Sequence, residues 1–241
     1  MSKQIQYLVN CVYREQLMLK SSELKALQDQ INPHFLYNTL EMINWKARMS
    51  GDGDLSMMIE ALAGIMEVNI DRRDSHFLTV KEEIDYLKNY IFLIQKRFGE
   101  RIHFEAQIDE TLLEYKIPRL ILQPLVENAI THGIEAKGEG TITVKVEQEG
   151  KLLYLTVQDT GAGIKEERLH CLQEELSHPE KTYIESESQD EGKSRKHVGV
   201  INVQKRIKLL YGEAYGMHIE SKEGAGTRII IKLSIETREK I

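Results

Sequence analysis

The sequence has little cysteine, no excess of basic residues and no long apolar run. Its two cysteines, Cys11 and Cys171, lack the spacing of metal ligands and provide no disulfide framework, so a reducing cytosol is expected. The net charge of -6 gives no support for a nucleic-acid surface, and no nucleic-acid partner is expected. No stretch approaches the roughly 18 apolar residues of a membrane span, and no signal peptide is visible. We therefore expect this polypeptide to be soluble as given.

The composition is that of an ordinary globular protein. The 241 residues are 41% hydrophobic and 29% charged, which is enough for one large domain or two smaller ones with real cores. A helical period dominates up to about residue 99, where it gives way to alternating strands and further helices. We predict an α+β protein in which a helical hairpin precedes a two-layer α/β sandwich, with the boundary near residue 99.

The N-terminal helices carry apolar stripes that require a partner. Residues 5 to about 31 are predicted to be helical, and the pattern resumes from His34 to about Met49. A break at 50–53 follows, and Asp54 is predicted to cap a second helix with a broad apolar face. Because one hairpin cannot bury its own stripe, two copies are expected to form a four-helix bundle in a dimer. The alternative is packing on a core inside the chain's own C-terminal half.

The rest of the chain is predicted to alternate between helices and strands. Thr79 and Glu82 have the spacing of a capping box at the start of a helix that Gly99 ends. Pro118 is predicted to open another helix at a tolerated first-turn position. Residues 177–196 are polar and poor in aromatics, and are predicted to be mobile. The remaining predictions are strands at 102–108, 141–147, 152–158, 215–221 and 228–235 and helices at 117–133, 165–176 and 198–210.

One histidine, His34, stands between a proline and a helical run. Pro33 disfavours helical geometry at Asn32, so a kink or a fresh helix start is expected just before His34. Asn38 follows four residues later and can project from the same helix face. A free imidazole is largely neutral at pH 7, and its unprotonated nitrogen is a competent nucleophile. Taken alone, such a histidine is more often an ordinary packed or capping residue.

Short motifs in the second half have the chemistry to hold a nucleotide. Asp159 stands at a strand end and can accept a hydrogen bond from an adenine amino group. Gly161 and Gly163 allow the backbone to approach a ring or phosphate closely. The helix start near Gly199 offers amides to phosphate oxygens. Each feature alone has an ordinary explanation, since a glycine pair is usually a turn and Asp159 could cap the next helix.

A helix centred on Asn128 adds a candidate metal site. Asn128 and Glu127 supply oxygen ligands for Mg²⁺, which takes few protein ligands together with phosphates and water. The order and spacing of this helix and the glycine motifs, with strands and helices between them, are hard to obtain by chance. The combination predicts a site for ATP and Mg²⁺.

Two longer motifs are much more specific. Residues 27–40 read LQDQINPHFLYNTL and residues 122–130 read LQPLVENAI, and both resemble the LytS/YesM-type bacterial sensor histidine kinases. Residues 119–233 resemble the GHKL ATP-binding domain shared by gyrase, a heat-shock chaperone, histidine kinases and MutL. The resemblance covers nearly the whole chain. It implies an ATP-dependent protein-histidine kinase of a two-component system, with a GHKL-type fold for the second domain.

The resemblance also implies roles for individual residues. His34 would take the γ-phosphoryl group of ATP and pass it to an aspartate on a response-regulator receiver domain, while Asn38 is a candidate for orienting a water that dephosphorylates that regulator. Glu127 is a candidate general base and, with Asn128, a candidate Mg²⁺ ligand. Asp159 would read adenine. The full set implied to bind ATP is Asn128, His132, Asp159, Gly161, Gly163, Gly199, Asn202, Gly226 and Thr227.

The resemblance also implies a domain organisation, an oligomeric state and a location. Residues 1–23 resemble the end of a HAMP-like signal linker, 24–99 the dimerisation and phosphotransfer helices, and 100–241 the catalytic ATP-binding domain. Family members usually carry transmembrane helices and an extracellular sensor. We therefore expect a homodimer whose full-length form is anchored in the bacterial cell membrane through a part preceding this sequence, with the present region facing the cytoplasm.

Two departures from the family pattern, and one difference from related ATPases, bear on activity. His197 replaces a phosphate-loop glycine, and Thr131 replaces a basic residue, which would cost about 1–3 kcal/mol where a charged hydrogen bond is lost. Pro124 stands where related ATPases place a water-activating glutamate, which favours phosphotransfer over hydrolysis. Two alternatives stay open: a nucleotide-binding dimeric scaffold without transfer activity, and a conformational ATPase of the GHKL type.

Overall fold

The computed structural model describes residues 33–70, 76–99, 101–177 and 198–235. The chain divides into two compact units, Met1–Ala63 and Gly64–Ile241. The predicted helix at 5–31 and nearly all of the predicted mobile segment at 177–196 lie outside the described residues. Among the described residues, no helix combines the length and apolar character needed to cross a membrane.

Helices and strands follow one another largely as the sequence patterns predict. The helices are α1 (Pro33–Met49), α2 (Gly53–Ile70), α3 (Val80–Phe98), α4 (Gln123–Asn128), α5 (Glu135–Lys137), α6 (Glu166–Ser177) and α7 (Val198–Tyr211), with a 3₁₀ turn at Glu110–Leu112 and a π-helix at Ala129–Ile134. The strands are β1 (Phe77–Thr79), β2 (Ile102–Ile108), β3 (Lys116–Pro118), β4 (Gly140–Glu149), β5 (Leu152–Asp159), β6 (Gly216–Lys222) and β7 (Gly226–Ser234).

A polar contact network joins helices α1 and α2 of the first unit. Ser56 Oγ donates to Asn44 Oδ1 at 2.6 Å, and the Arg48 guanidinium forms an ion pair with Glu60. The cap of α2 differs from the prediction: Asp52 Oδ1, not Asp54, accepts the free amide of Leu55, at 3.0 Å. The chain reaches helical geometry two residues earlier than predicted, at Gly53, so Asp54 already lies in the first turn.

Apolar side chains of α1 remain uncovered within the single chain. Phe35 and Trp45 expose 66% and 63% of their surface, and Met42 exposes 58%. Large apolar side chains clustered on one element in this way mark an interaction surface.

The second unit is built on a five-stranded mixed sheet in the order β2-β4-β5-β7-β6. Only the β2–β4 pair is parallel, with Phe104 opposite Ile142, and the other neighbours are antiparallel. Helix α3 contributes its buried face, which includes Ile84, Leu87 and Ile91, to the same hydrophobic core as the sheet. The α+β fold class is confirmed.

Helix α3 has the caps that the sequence predicts. Thr79 Oγ1 accepts from Glu82 N at 3.2 Å, and Glu82 Oε2 accepts from Thr79 N at 2.8 Å, which completes the capping box. Gly99 ends the helix with a φ of 78°, a conformation that favours glycine.

Substituting Thr79→Ala tests this cap. Both reciprocal hydrogen bonds depend on the geometry that the threonine fixes, so we expect the free energy of unfolding to fall by about 1 kcal/mol. Urea titration followed by circular dichroism measures the change, and Thr79→Ser, which keeps the hydroxyl, is the control. An unchanged midpoint for Thr79→Ala would show that the cap contributes nothing.

The prediction that Pro118 opens a helix is wrong. Pro118 ends strand β3, which pairs antiparallel with β1 so that Leu78 lies opposite Ile117. Helix α4 begins only at Gln123. Residues 116–118 form a strand because they pair with β1, about 39 residues earlier in the chain, and a local sequence pattern cannot predict such a distant pairing.

The predicted domain boundary near residue 99 stays a prediction. Compactness divides the chain between Ala63 and Gly64, so α3 belongs to the second unit with the sheet.

Candidate functional site

One cavity in the second unit collects several of the predicted site residues. The space between its walls, including the part open to solvent, is about 610 Å³. Four polar side chains face it, Asn128, His132, Asp159 and Thr227, together with the backbone of Gly133 and Gly163. The remaining lining is apolar: Leu125, Ala129, Val157, Ile164, Leu172, Val200, Ile219 and Ile229.

Asp159 is the buried acceptor of this cavity. It is the last residue of β5 and exposes only 4% of its surface. Its Oδ1 accepts from Gly161 N at 2.8 Å. Burial raises the pKa of Asp159, and backbone donors from Gly161 and Thr227, with the charge of Lys137, oppose the rise. A carboxylate held at the end of a strand in an apolar cavity can accept a hydrogen bond from an amino group of a planar ligand.

Glycines around Asp159 are required by close packing. A Cβ on Gly133 would lie 2.7 Å from Asp159 Oδ1. One on Gly161 would overlap the backbone of Gly133, and one on Gly226 would overlap the carbonyl oxygen of Asp159. Gly161 and Gly226 therefore support the site from behind and do not line the cavity.

Asn128 is arranged to present an oxygen. Its Nδ2 donates to Pro124 O at 2.7 Å, which leaves Oδ1 as the acceptor or ligand atom. No cluster of three or more His, Cys, Asp or Glu side chains suited to a metal occurs in the described parts of the chain. A single amide oxygen still fits Mg²⁺, because that ion is usually held by one or two protein ligands, substrate phosphates and water.

Glu127 lies apart from the cavity lining. Its Oε1 accepts from Gln123 Nε2 at 2.7 Å, one turn back on the same helix. Asn128 borders the cavity and Glu127 does not, although the two are neighbours in the sequence. The structure therefore brings only one of the two predicted Mg²⁺ ligands to the cavity.

A π-helix follows directly after Asn128, and the sequence patterns did not indicate it. It covers Ala129–Ile134 and carries His132 at the cavity. Within it, Gly133 O accepts from Ala162 N at 2.9 Å, which ties the helix to the loop after β5. Single π turns occur often at functional sites, and here the turn joins the Asn128 helix to the loop that follows Asp159.

The phosphate side of the predicted site is only partly described. Gly199 and Asn202 lie in the first turns of α7, are exposed and do not line the cavity, whereas Val200 does. His197 lies outside the described residues. Thr131 is exposed.

Sequence reasoning missed the apolar half of the cavity. Val157 and Ile229 face it from neighbouring strands, and Leu125 faces it from α4. The available signal was the alternation of β5 and β7, which predicts inward-facing residues but cannot distinguish a core position from a cavity wall.

A buried carboxylate fixes the segment that leads into α4. Glu83 on α3 is fully buried, and its two oxygens accept from Leu120 N at 2.8 Å and Leu122 N at 2.9 Å. Leu120 has a φ of 52°, which is strained for a residue with a side chain. Burial raises the pKa of Glu83 to about 7, against the opposing effect of these backbone donors.

Two arginines hold the same segment, residues 119–122. The Arg206 guanidinium on α7 donates to Arg119 O, and the Arg119 guanidinium donates to Val68 O near the end of α2. Arg119 N also donates to His76 O at 3.0 Å. Burial lowers the pKa of Arg206, and the nearby Glu83 opposes this. The backbone before α4 is thereby fixed by contacts from three different helices.

His34 and Asn38 lie on α1, in the first unit. Both are exposed, and the Asn38 amide Nδ2 lies 3.2 Å from His34 Nδ1. The predicted same-face geometry is confirmed, and the ring is not enclosed within the hairpin.

Comparison with known families identifies the chain. The profile described as "Histidine kinase" matches residues 22–102, and the one described as "Histidine kinase-, DNA gyrase B-, and HSP90-like ATPase" matches residues 115–237. The second covers four of the five strands of the sheet, β4 to β7, together with the cavity and Asp159. The chain belongs to the histidine kinase family, as the two sequence motifs predicted.

Individual relatives are sensor kinases. The chain is 35% identical to "Sensor histidine kinase YesM" of Bacillus subtilis over 97% of its own length and 37% of the relative. It is 38% identical to "Sensor histidine kinase YpdA" of Escherichia coli over 88% of its length and 34% of the relative. It is 28% identical to "Sensor protein LytS" of Oceanobacillus iheyensis over 86% and 33%. The chain thus spans little more than a third of these relatives.

Proposed function

We propose that this chain is the kinase region of a bacterial sensor histidine kinase, which phosphorylates His34 from ATP and passes the group to an aspartate of a response regulator. The observation that carries the proposal is the pairing of two features in one chain of this family. One is an exposed histidine on α1, and the other is a mainly apolar cavity with Asp159 buried in its lining. Residues 24–99 would accept the phosphoryl group, and 100–241 would hold ATP.

The cavity suits an adenine nucleotide. Its walls are mainly apolar, as a base requires, and Asp159 supplies one directional acceptor for an amino group. Asn128 would bind Mg²⁺ through Oδ1, and the metal would neutralise charge on the phosphates. His132 and Thr227 face the same space, whereas Gly199 and Asn202 would act on phosphates from the start of α7.

Phosphotransfer demands mainly positioning. An uncharged ring nitrogen of His34 attacks the γ-phosphorus in line, and ADP leaves. Pro124 offers no side chain that could activate water. This favours transfer over the conformational-ATPase alternative.

Dimerisation, partner and location belong to the same proposal. The exposed Phe35, Met42 and Trp45 fit a second copy of the chain packed as a four-helix bundle. The acceptor would be a response-regulator receiver domain, and Asn38 would orient a water for its dephosphorylation. Anchoring of the full-length protein in the cell membrane would come from a region preceding this sequence.

Incubation with γ-labelled ATP and Mg²⁺ tests the proposal. We expect an acid-labile, alkali-stable phosphoprotein in the wild type and none in His34→Ala, with unchanged ATP affinity, because His34 is exposed and lies on α1. In Asp159→Ala, by contrast, we expect the loss of nucleotide affinity to be the primary defect.

Two other results would contradict the kinase assignment. ATP binding without a phosphoprotein would support the scaffold alternative. Steady phosphate release without a phosphoprotein would support the ATPase alternative.

A further inference from the structure

Arg119 joins the end of helix α2 to the segment that leads into the nucleotide cavity. We propose that Arg119 is a positioning residue for nucleotide binding, through which the last turn of α2 and the occupied cavity stabilise each other. This inference rests on the proposed function and extends it, because Arg119 is not among the residues that line the cavity. The supporting observation is the set of hydrogen bonds that Arg119 makes through both its guanidinium and its backbone.

The guanidinium of Arg119 caps the C-terminal end of α2. The last four carbonyl oxygens of a helix have no partner within the helix, and the summed peptide dipoles make that end electronegative. Helix α2 has no basic residue in its own last turn. Arg119 Nη2, from 51 residues further along the chain, donates to the last-turn carbonyl oxygen of Val68. A charged donor at this place stabilises the helix end more than a neutral donor would.

This contact lies within the second compact unit and is partly shielded from water. Val68 and Arg119 are both half-buried, and Val68 packs against the hydrophobic core of that unit. Salt and water screen a shielded contact less than one at the surface. The Arg119 contact therefore stabilises the protein more than an exposed arginine pair, such as that of Arg168 with Glu175, does.

The backbone of Arg119 is held as well as its side chain. Its N–H donates to His76 O at 3.0 Å, and its carbonyl oxygen accepts from the Arg206 guanidinium. The next residue, Leu120, has a φ of 52°, and its amide donates to the buried Glu83 at 2.8 Å. Because the turn is fixed at several points, it has little freedom to absorb a movement of Arg119.

A short, buried connection leads from Arg119 to the cavity. Three residues separate Arg119 from the start of α4, and two of them, Ile121 and Leu122, are fully buried. Close-packed side chains transmit a displacement to their neighbours. Helix α4 brings Asn128, the candidate Mg²⁺ ligand, to the cavity. A shift of Arg119 is therefore expected to move Asn128.

Coupling of this kind acts in both directions. The capped end of α2 favours the position of α4 that binds nucleotide, so a bound nucleotide must favour the capped end by the same free energy. Fraying of the last turn of α2 would conversely weaken nucleotide binding. Couplings between two sites typically change an affinity by about 5- to 150-fold.

Three variants of the full chain test the inference. Arg119→Met keeps the length of the side chain and removes its donors and charge, whereas Arg119→Lys keeps a charged donor. Arg168→Met is the matched control, since Arg168 pairs with Glu175 at the surface of α6. Each variant is titrated with Mg²⁺ and a non-hydrolysable ATP analogue, and circular dichroism verifies that it is folded. Hydrogen–deuterium exchange of residues 65–70, with and without the analogue, measures the order of the helix end.

In the wild type we expect the analogue to slow exchange in residues 65–70, although these residues lie outside the cavity lining. Arg119→Met should weaken binding of the analogue about tenfold and abolish the slowing. Arg119→Lys should restore most of the affinity and the slowing, and Arg168→Met should match the wild type. A helix cap with no link to the cavity would instead change exchange equally with and without the analogue.

The inference is overturned if exchange at the end of α2 does not respond to the analogue in the wild type, a measurement that needs no variant. It is also overturned if folded Arg119→Met binds the analogue as tightly as the wild type, or if Arg119→Lys binds it as weakly as Arg119→Met. If the wild type binds no analogue at all, the proposed function fails instead. The two failures are therefore distinguishable.

Discussion

Replacing Glu83 by alanine is expected to lower the free energy of unfolding by roughly 3–5 kcal/mol near pH 6. The change removes the acceptor of two backbone amides, Leu120 N and Leu122 N, at a position that is fully buried. Arg206 loses its nearby carboxylate as well. Because the 119–122 segment leads into α4, nucleotide affinity should fall with stability.

Denaturant unfolding of the second unit measures this effect. Asp85→Ala is the matched control, since Asp85 is another acidic residue of α3 but is exposed and pairs with Lys88 at the surface. Such a pair contributes little, so the control should change stability by less than about 1 kcal/mol. If both variants lost the same free energy of unfolding, the buried contacts of Glu83 would stabilise the protein no more than a surface ion pair does.

The same carboxyl gives a pH signature. Its folded pKa is raised from 4.5 to about 7, so its contribution to stability is fully present below about pH 4.5 and is lost as the pH rises through 7. The loss amounts to about 3 kcal/mol. The stability difference between wild type and Glu83→Ala should therefore shrink from about pH 5 to about pH 8.5. A difference that grows over this range would mean that the buried group is stabilised as a carboxylate.

Gly161→Ala is expected to weaken nucleotide binding by at least about a hundredfold. An added Cβ would overlap the backbone of Gly133, so the loop after β5 and the π-helix must move apart. That movement separates Gly161 N from Asp159 Oδ1 and displaces the carboxylate that closes the cavity. Titration with a fluorescent ATP analogue measures the affinity.

Gly150→Ala controls for general destabilisation. Gly150 lies in the turn between β4 and β5, where an added Cβ meets nothing within 4 Å. Its φ of 59° makes the substitution cost about 1 kcal/mol of strain. Affinity should nevertheless be unchanged. Tight binding by Gly161→Ala would show that the Gly133–Gly161 contact does not position Asp159.

Sequence reasoning succeeded where the determining interactions are local. The capping box of Thr79 and Glu82 spans three residues, and the contact of His34 with Asn38 spans one helical turn. The five strands of the large sheet were identified from alternation, which depends only on near neighbours, whereas β1 and β3 were not predicted. The motif around Asn128 predicted its helix, although not the π turn that begins directly after it.

Distant contacts account for what was missed. Glu83 stands in a helix with many charged residues, and nothing local distinguishes it from the exposed Asp85. Its partners lie about 37 and 39 residues away, in a segment where Leu120 has a positive φ. Pro118 was placed in a helix for the same reason, because its strand partner is Phe77. The capping residue of α2 is Asp52, two residues before the predicted Asp54.

The short pairing of β1 with β3 limits where a shortened fragment of the protein can begin. Strand β3 pairs with residues 77–79, and helix α3, which follows them, packs on the hydrophobic core of the sheet. A fragment begun at residue 100 would lose both, expose Ile117 and leave the amides of Leu120 and Leu122 without their acceptor. An independently folding nucleotide-binding fragment must therefore start upstream of His76, well inside the region that the sequence assigns to phosphotransfer.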